Sequence, residues 1–515
     1  MMRIKWWWYF VPLLLLQLPF AFSSMCVWDS AVQQHLYDSN NFSSAKKLFF
    51  DSSVPLSYYE MRAVAILPQY LIIFKILSIL IFGITALVTS KVLLHNTSLT
   101  HFEVYFVCVG SFFFPSYAMW QHIIMFPYYV SMLAFTMGVA GFMHSQYTEK
   151  KGFAVLSVFF FLVAFNIQSF LVYYVALMFC FFLFKKHESE AWFQRVIGFI
   201  KTFWFFVALP FLYYIFINSF FPRAGFYKED GYNTISLHGM QPINELAKSL
   251  VNTSLTPFVN AFHFLKSDPI SGAIYIGIAM LLTIGIALKI KSVSIEKINF
   301  KLLITALILA VFAILPYALV GKHVSTHGYE TRHSLLMHTP LLIALVVAFR
   351  LFGSYARILT FAFLGFSFFM YLQHAIQWEN RFGKYQAISL KLESNEQAKQ
   401  SNIVFLTETN HEWAMNEYLR FYECNMLLKD AFKNEQRFGI NDESVAHDEA
   451  LANTYIQKYL KYKKSLFFND FTAPAMRCDL TITEQPSEDA IVFLNSLTAP
   501  VRGQYYANFI SLRSK

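Results

Sequence analysis

Residues 322–338 read K-H-V-S-T-H-G-Y-E-T-R-H-S-L-L-M-H and separate two long apolar runs of the chain. The stretch concentrates polar and charged side chains, namely Lys322, His323, His327, Glu330, Arg332, His333 and His338. If both flanking runs cross a membrane, so short a loop holds its cations at the membrane surface, where anionic lipid headgroups lie. The pattern predicts a phosphate-binding site, and an ordinary polar hairpin whose charges face water is the alternative.

The composition excludes a soluble globular protein. Of the 515 residues, 56% are hydrophobic, 19% aromatic and only 14% charged, whereas soluble domains are about 25% charged. The chain is therefore expected to be a polytopic membrane protein. Basic residues beside membrane spans account for the net charge of +9, so no nucleic-acid partner is expected. The five cysteines are too scattered for a disulfide framework, and only Cys424 and Cys478 form a plausible pair, provided that they lie outside the cytosol.

Apolar runs of spanning length predict about eleven transmembrane helices. The runs cover residues 6–23, 66–90, 103–120, 123–144, 153–168, 169–184, 196–218, 272–289, 302–321, 335–352 and 355–374. The first run is either a signal peptide or a retained helix, and the three tryptophans at its start favour the retained helix. Basic residues in short loops fall on one side of these spans, which predicts a cytoplasmic N-terminus. The loops 24–65, 219–271 and 322–334 and the tail then lie outside the cytosol.

The tail changes character after residue 376, where charge returns and apolar residues follow the patterns of a soluble domain. Residues 402–407, 465–468 and 490–494 are predicted strands, and residues 413–432 form a predicted amphipathic helix. The predicted organisation is a transmembrane domain over residues 1–376 and a small extracytoplasmic α/β domain over residues 377–515. The expected fold class is therefore a mostly α, polytopic membrane protein with this appended domain.

The loop after the first span reads C-V-W-D-S-A-V-Q-Q-H-L-Y-D and brings Asp29 close to the membrane surface. His35 and Asp38 follow on a probable interfacial helix. A carboxylate in this place is suited to act as a general base on a hydroxyl group. Aspartate is also among the best helix caps, and residues 31–37 have a helical pattern, so a purely structural N-cap is the alternative.

Other polar features on the predicted outer side carry weaker signals. His122 lies in the short turn between the third and fourth spans, from which it can face the same cavity or the membrane interface. The loop 219–271 contains an amphipathic stretch at 244–255, which fits either a lid over a lipid-facing groove or a surface helix. The histidines of 322–338 match no established metal-binding spacing, so no cofactor is assigned, with a divalent metal ion as the alternative.

The chain resembles the GT-C superfamily of polytopic glycosyltransferases. The resemblance rests on an acidic residue in the first external loop, about eleven spans, and an external C-terminal α/β domain. It also rests on an arginine-bearing loop before a late span, R-H-S-L-L-M-H-T-P-L-L-I-A-L at residues 332–345. The resemblance implies that a sugar is taken from a polyprenyl-phosphate carrier on the outer face, with an Asp or Glu of the first external loop as base.

Carried over to this sequence, the resemblance makes Asp29 the catalytic base. It makes Arg332, with Tyr329 and His333 beside it, the arginine-plus-aromatic element that contacts the donor. Lys322, His327, His35 and His122 complete the expected substrate-binding residues. Many members have an acidic pair where this chain has Asp29–Ser30, and a tyrosine is common where this chain has His333.

The expected function is inverting transfer of a sugar to a glycan, lipid or protein acceptor. A single in-line displacement inverts the anomeric carbon, and it needs only one protein carboxylate. The expected location is a bacterial inner or plasma membrane rather than the endoplasmic reticulum. The expected role is in glycan biosynthesis of the cell envelope, and membrane lipid is an expected partner. A glycan polymerase or ligase, such as an O-antigen polymerase, is the second reading. A lipid or solute transporter or flippase is the third reading. Such a protein is expected to carry charged residues near the membrane midplane, and these are nearly absent here, with Lys75 as the exception.

Overall fold

The computed structural model describes residues 5–27, 29–120, 122–184, 192–229, 240–290, 296–325, 329–408, 419–433, 437–441, 477–485, 488–499 and 501–514. It is mostly helical, and six helical segments are long and apolar enough to cross a membrane: Tyr70–Asn96, Ile123–Thr148, Phe193–Phe220, Pro269–Lys289, Phe300–Ala318 and Glu330–Glu393. The protein is therefore a helical membrane protein, whereas the expected count of about eleven spans stays a prediction.

The α-helices are, in chain order, α1 (Val11–Leu16), α2 (Leu18–Ala21), α3 (Asp29–Asp38), α4 (Phe42–Asp51), α5 (Pro55–Ala65), α6 (Tyr70–Asn96), α7 (His101–Gly110), α8 (Phe126–Thr148), α9 (Lys151–Ala164), α10 (Ser169–Phe184), α11 (Trp192–Phe220), α12 (Phe226–Glu229), α13 (Gln241–Ser254), α14 (Thr256–Ser267), α15 (Pro269–Lys289), α16 (Phe300–Ala318), α17 (His338–Phe349), α18 (Ala356–Glu393), α19 (Glu396–Gln400), α20 (Phe421–Phe432), α21 (Asp489–Thr498) and α22 (Arg502–Ala507). Short 3₁₀ helices cover Trp6–Tyr9, Ile123–Met125, Tyr329–Met337 and Arg350–Tyr355.

The first apolar run is broken rather than continuous. Pro19 lies in the first turn of α2, and a proline removes one helical hydrogen bond and clashes with the preceding turn, so α1 ends at Leu16. The carbonyl groups freed at the end of α2 are satisfied from outside the segment. The Lys75 ammonium on α6 donates to the Ser23 carbonyl at 2.7 Å and to the Phe20 carbonyl at 3.4 Å. Lys75 thus has a structural role at this break.

Two further apolar runs contain only short helices, α7 and α17, whose ends meet inside the protein. The His338 ring packs on Phe114 with centroids 4.6 Å apart, and its Nδ1 lies 3.1 Å from the Ser111 carbonyl oxygen. Ser111 Oγ also lies 3.0 Å from Thr339 Oγ1. These contacts satisfy backbone and hydroxyl groups where the helices stop, which is the condition for irregular chain at membrane depth.

The long helix α18 joins the membrane part to the C-terminal region. It runs for 38 residues through the predicted domain boundary at 376. Beyond it lie strands β1 (Ile403–Glu408), β2 (Phe438–Ile440), β3 (Arg477–Glu484) and β4 (Ile510–Ser514). They form one sheet of order β2-β1-β3-β4, in which β1 is parallel to β2 and β3, and β4 is antiparallel to β3.

The element predictions for the tail have mixed outcomes. The strand predicted at 402–407 is confirmed as β1, and α20 occupies the end of the helix predicted at 413–432. The strand predicted at 490–494 is wrong, because these residues belong to α21. Residues 465–468 lie outside the described part of the chain. Cys424 and Cys478 are both buried free thiols.

Buried ion pairs hold α18 against the sheet and α20. Arg381 donates to Glu423 at 3.1 Å, and Lys384 donates to Glu408 at 2.6 Å and also to Glu484. The five side chains are at most 2% exposed, so removing one partner leaves a charge without compensation, which typically costs about 3–5 kcal/mol. This end of α18 is therefore part of the C-terminal core.

Candidate active site

A cavity of about 270 Å³ lies where α3, α4 and α5 pack against the membrane helices. Its lining residues are Asp29, Val32, Gln33, Leu48, Phe49, Ser52, Val54, Ser57, Ile124, Pro127, Tyr128, Ile167, Gln168, Ser169, Arg223, Tyr227, Tyr317 and Arg332. We call it the Asp29 cavity. Most of these residues carry polar or charged groups, and the others are apolar. Polar groups that converge on one cavity are typical of ligand sites.

Asp29 enters the cavity from the first turn of α3. A carboxylate there is stabilised by the positive end of the helix dipole, typically by about 0.3–1 kcal/mol. The Asp29 carboxylate forms no hydrogen bond or ion pair with the residues that the structure describes. An N-cap side chain would accept a backbone N–H bond within its own first turn. The geometry thus leaves this carboxylate available to a ligand.

Two arginines face the same cavity from different parts of the chain. Arg332 is only 6% exposed, and its Nη1 lies 3.6 Å from the Glu330 carboxylate. Arg223 donates to the Gln168 side-chain oxygen at 3.2 Å. Guanidinium groups match the geometry of phosphate oxygens and stay charged at all relevant pH values. The pair gives the cavity a positive wall.

The backbone around Arg332 is fixed by neighbouring segments. In the 3₁₀ helix Tyr329–Met337, Thr331 Oγ1 accepts the Ala118 N–H at 3.2 Å, and Ser334 Oγ donates to the Thr331 carbonyl at 2.8 Å. Both residues are fully buried. Hydrogen bonds on either side of Arg332 restrict the position of its side chain, which is what a preorganised charge requires.

The segment that carries Arg223 is anchored on the turn after α4. The Ala224 N–H donates to the Asp51 carbonyl at 3.1 Å, and Gly225 adopts a positive φ of 53° beside the Asp51 side chain. A Cβ at Gly225 would meet the Asp51 Oδ2 at 3.2 Å, and the left-handed backbone favours glycine in any case. The predicted loop 219–271 therefore contributes to the cavity directly, through Arg223 and Tyr227.

The predicted amphipathic stretch at 244–255 is helical and packs beside the 322–338 segment. Glu245 on α13 lies 2.8 Å from the His323 ring nitrogen Nδ1, and Asn252 donates to the Val324 carbonyl at 2.7 Å. These contacts tie α13 to the end of α16. They place the helix as a support for the cation-bearing segment.

The structure brings some of the predicted site residues together. Asp29 and Arg332 line one cavity. His333 lies behind it, where its ring stacks on Tyr317 at 4.2 Å and its Nδ1 lies 3.3 Å from Glu330. Lys322 interacts electrostatically with Glu330 and does not line the cavity. His327 and the Tyr329 side chain lie outside the described part of the chain.

Two predicted site residues lie elsewhere. His35 is on a different face of α3 from Asp29, with its Nε2 2.5 Å from the Lys429 Nζ of α20. His122 is buried, and its ring centroid lies 4.4 Å from that of Trp378 on α18. Neither residue lines the Asp29 cavity. Within the described residues, no group of three potential His, Cys, Asp or Glu metal ligands occurs.

Several cavity residues escaped the sequence reading. Gln33 follows Asp29 by one helical turn and so shares its face of α3, a spacing that the sequence does contain. Tyr317 and Gln168 lie in or beside apolar runs, where nothing in the local pattern separates a cavity residue from a packing residue.

Comparison of the chain with protein-family models, curated proteins and solved structures gives no match. The function proposed below therefore rests on the geometry of the Asp29 cavity.

Proposed function

We propose that this protein is a membrane glycosyltransferase that moves a sugar from a polyprenyl-phosphate carrier to a hydroxyl acceptor. The observation that carries the proposal is that Asp29 and Arg332, from distant parts of the sequence, line one cavity. A carboxylate with no partner among the described residues and a buried guanidinium are the two groups that displacement of a phosphate by a hydroxyl requires.

The proposed reaction is a single in-line displacement. The acceptor oxygen forms a bond to the anomeric carbon while the bond from that carbon to the phosphate oxygen breaks. The Asp29 carboxylate takes the acceptor proton, and the departing phosphate keeps the electron pair. Arg332 and Arg223 stabilise the charge on the phosphate, and the anomeric configuration is inverted because there is one displacement.

The orientation of the chain belongs to the same proposal. The N-terminus is cytoplasmic, and the α3–α5 segment and the C-terminal region share the outer face of a bacterial inner or plasma membrane. Contact between α3 and α20, which includes His35 with Lys429, supports their placement on one side. The acceptor is a glycan, lipid or protein of the cell envelope.

The test is Asp29→Asn, which keeps shape and removes proton acceptance. Transfer from a polyprenyl-phosphate donor is expected to fall by roughly two to four orders of magnitude, with donor binding little changed. Asp38→Asn is the matched control, because Asp38 lies on the same helix but accepts a hydrogen bond from the Tyr70 hydroxyl at 2.7 Å instead of lining the cavity.

Full transfer activity in the Asp29→Asn protein would remove Asp29 from the mechanism. If the wild-type protein moves the lipid carrier across vesicle membranes and transfers no sugar, the protein is a flippase and not a glycosyltransferase. Joining of repeat units instead of single sugars would identify a polymerase or ligase.

A further inference from the structure

Gln33 is a buried amide in the Asp29 cavity, and no residue in the described part of the chain forms a hydrogen bond with it. It is 1% exposed and lines the cavity one helical turn after Asp29. Neither its Nε2 nor its Oε1 has a partner among the residues that the structure describes. Burial without a partner carries a desolvation penalty for both groups, and such groups in native proteins call for an explanation. A ligand that pairs with the amide supplies one.

A second feature borders the same cavity. Ser53, in the turn between α4 and α5, is fully buried and has a positive φ of 62°. Its Oγ also has no partner within the described chain, and its neighbours Ser52 and Val54 line the cavity. A left-handed conformation is costly for a serine, and such strain is concentrated at functional sites.

The chemistry of the Gln33 amide differs from that of the two arginines. A carboxamide offers N–H donors and a carbonyl acceptor in one plane. The phosphodiester of the donor offers only acceptor oxygens, so it pairs with Arg332 and Arg223 and not with the Gln33 carbonyl. A sugar hydroxyl both donates and accepts, and adjacent ring hydroxyls match both functions of the amide.

We propose that Gln33 is a specificity-determining residue that binds ring hydroxyls of the transferred sugar. This rests on the proposed function, since it assigns the sugar to the Gln33 side and the phosphate to the arginine side of one cavity. Side chains one turn apart on a helix are about 5–6 Å apart at Cβ. A ring held by Gln33 therefore lies beside the base, Asp29.

The test is Gln33→Met in the full-length protein, because methionine keeps the length of the side chain and removes both polar functions. Gln34→Met is the matched control, since Gln34 is the next residue of α3 and does not line the Asp29 cavity. Binding is measured with farnesyl phosphate and with its glucosyl, galactosyl, mannosyl and N-acetylglucosaminyl derivatives.

Gln33→Met is expected to weaken binding of the preferred sugar derivative by about 10- to 100-fold and to leave farnesyl phosphate binding unchanged. Donors that each lack one sugar hydroxyl identify the contact. The wild type should bind the donor without the contacted hydroxyl more weakly than the complete donor. Gln33→Met should bind these two donors equally well, because the contact is already absent in the variant. Gln34→Met should behave as the wild type.

Thermal unfolding without ligand separates this role from a structural one. Removal of an unpaired buried amide should leave the melting temperature unchanged or raise it. A clear fall in melting temperature together with equal losses for farnesyl phosphate and its sugar derivatives would show that Gln33 only supports the fold. If the wild type selects one sugar and Gln33→Met selects it equally well, this proposal fails while the proposed function stands. If the wild type binds none of the sugar derivatives, both fail.

Discussion

Arg332 combines three properties that surface arginines lack. It is buried, its backbone is fixed by hydrogen bonds of Thr331 and Ser334, and it lies in one cavity with Asp29. In the proposed mechanism, this guanidinium touches the donor phosphate both before and during the displacement. It therefore differs in kind from a base that acts only as the acceptor hydroxyl loses its proton.

Arg332→Ala should weaken donor binding and also slow transfer, because the lost charge acts in the ground state and in the transition state. Arg332→Lys should recover part of the binding, since it restores charge without the planar fork of donors. Farnesyl phosphate binding and single-turnover transfer measure the two effects separately. Unchanged farnesyl phosphate binding in Arg332→Ala would rule out the phosphate contact.

The sequence identifies some residues of the Asp29 cavity and not others. Asp29 and Arg332 stand out in the sequence because each is a charge beside an apolar run. Gln33 and Tyr317 do not, since their role depends on which helix faces them. His35 was grouped with Asp29 by nearness in sequence, yet a spacing of six residues puts it on another face of α3.

Asp268 is the residue on which two helices begin. Its Oδ1 accepts the Ser271 N–H of its own helix α15 at 3.0 Å, and its Oδ2 accepts the Asp489 N–H of α21 at 2.9 Å. Ser271 Oγ accepts the Ala490 N–H at 2.8 Å. The C-terminal region is thus docked on a membrane helix through shared N-terminal caps.

This junction should respond to pH through Asp489. Burial raises the pKa of Asp489 from the ordinary value of 3.8 to about 6, and the nearby Asp268 charge adds to the rise. Hydrogen bonds from Gln377 and Asn380 oppose it. Because the folded state holds the proton to higher pH, the group contributes stability that is complete below its unfolded pKa and is lost as pH rises through about 6.

Asp489→Asn should remove this dependence. Relative to the variant, the wild type should lose roughly 2 kcal/mol of unfolding free energy between about pH 4.5 and about pH 7. Thermal unfolding of both proteins across this range measures it as a melting-temperature difference. A difference that stays constant over the range would show that Asp489 is not buried against Asp268 as described.

Elements of regular length were predicted more accurately than broken ones. Long apolar runs such as Tyr70–Asn96 are helices, and the runs predicted separately at 153–168 and 169–184 correspond to the two helices α9 and α10. The run at 103–120 contains only the short α7. Hydropathy predicts one long helix there because it does not take into account that neighbouring segments can form hydrogen bonds with the backbone of an irregular stretch. The run at 490–494 is short and apolar, and periodicity alone does not distinguish a strand from a buried helical turn there.

At the scale of the whole molecule, α18 connects the membrane helices and the C-terminal region within one continuous hydrophobic core. Its first part packs among membrane helices, and its last part supplies Arg381 and Lys384 to the C-terminal region. The sequence indicated a change of composition near residue 376, and the helix nevertheless continues to Glu393. Composition records a change of surroundings, which a single helix can cross without a break.

A fragment of residues 377–515 should therefore resist proteolysis better than one of residues 385–515. The shorter fragment lacks Arg381 and Lys384, which leaves buried carboxylates without counter-ions. The 377–515 fragment with Arg381→Met and Lys384→Met controls for length and should be digested like the shorter one. Equal resistance of all three would show that these pairs are dispensable for the region.

The proposed topology places the end of the chain outside the cytosol. A reporter fused after Lys515 that is active only in the cytosol should therefore be silent, and one active only outside should give a signal. The same reporters fused after Lys150, in the connection between α8 and α9 that is predicted to be cytosolic, should give the reverse pattern. A strong cytosolic signal at Lys515 would invert the arrangement and remove the outer-face assignment of the Asp29 cavity.

The buried pairing of α18 with the tail sets an order for biogenesis. Glu408, Glu423 and Glu484 are synthesised after Arg381 and Lys384, and they find these cations only once α18 has been inserted and the tail has reached the same side. Until then these buried carboxylates lack their counter-ions, so the C-terminal region is not expected to fold before α18 is in place. Folding of the C-terminal region is then a step that follows insertion of α18 and does not precede it.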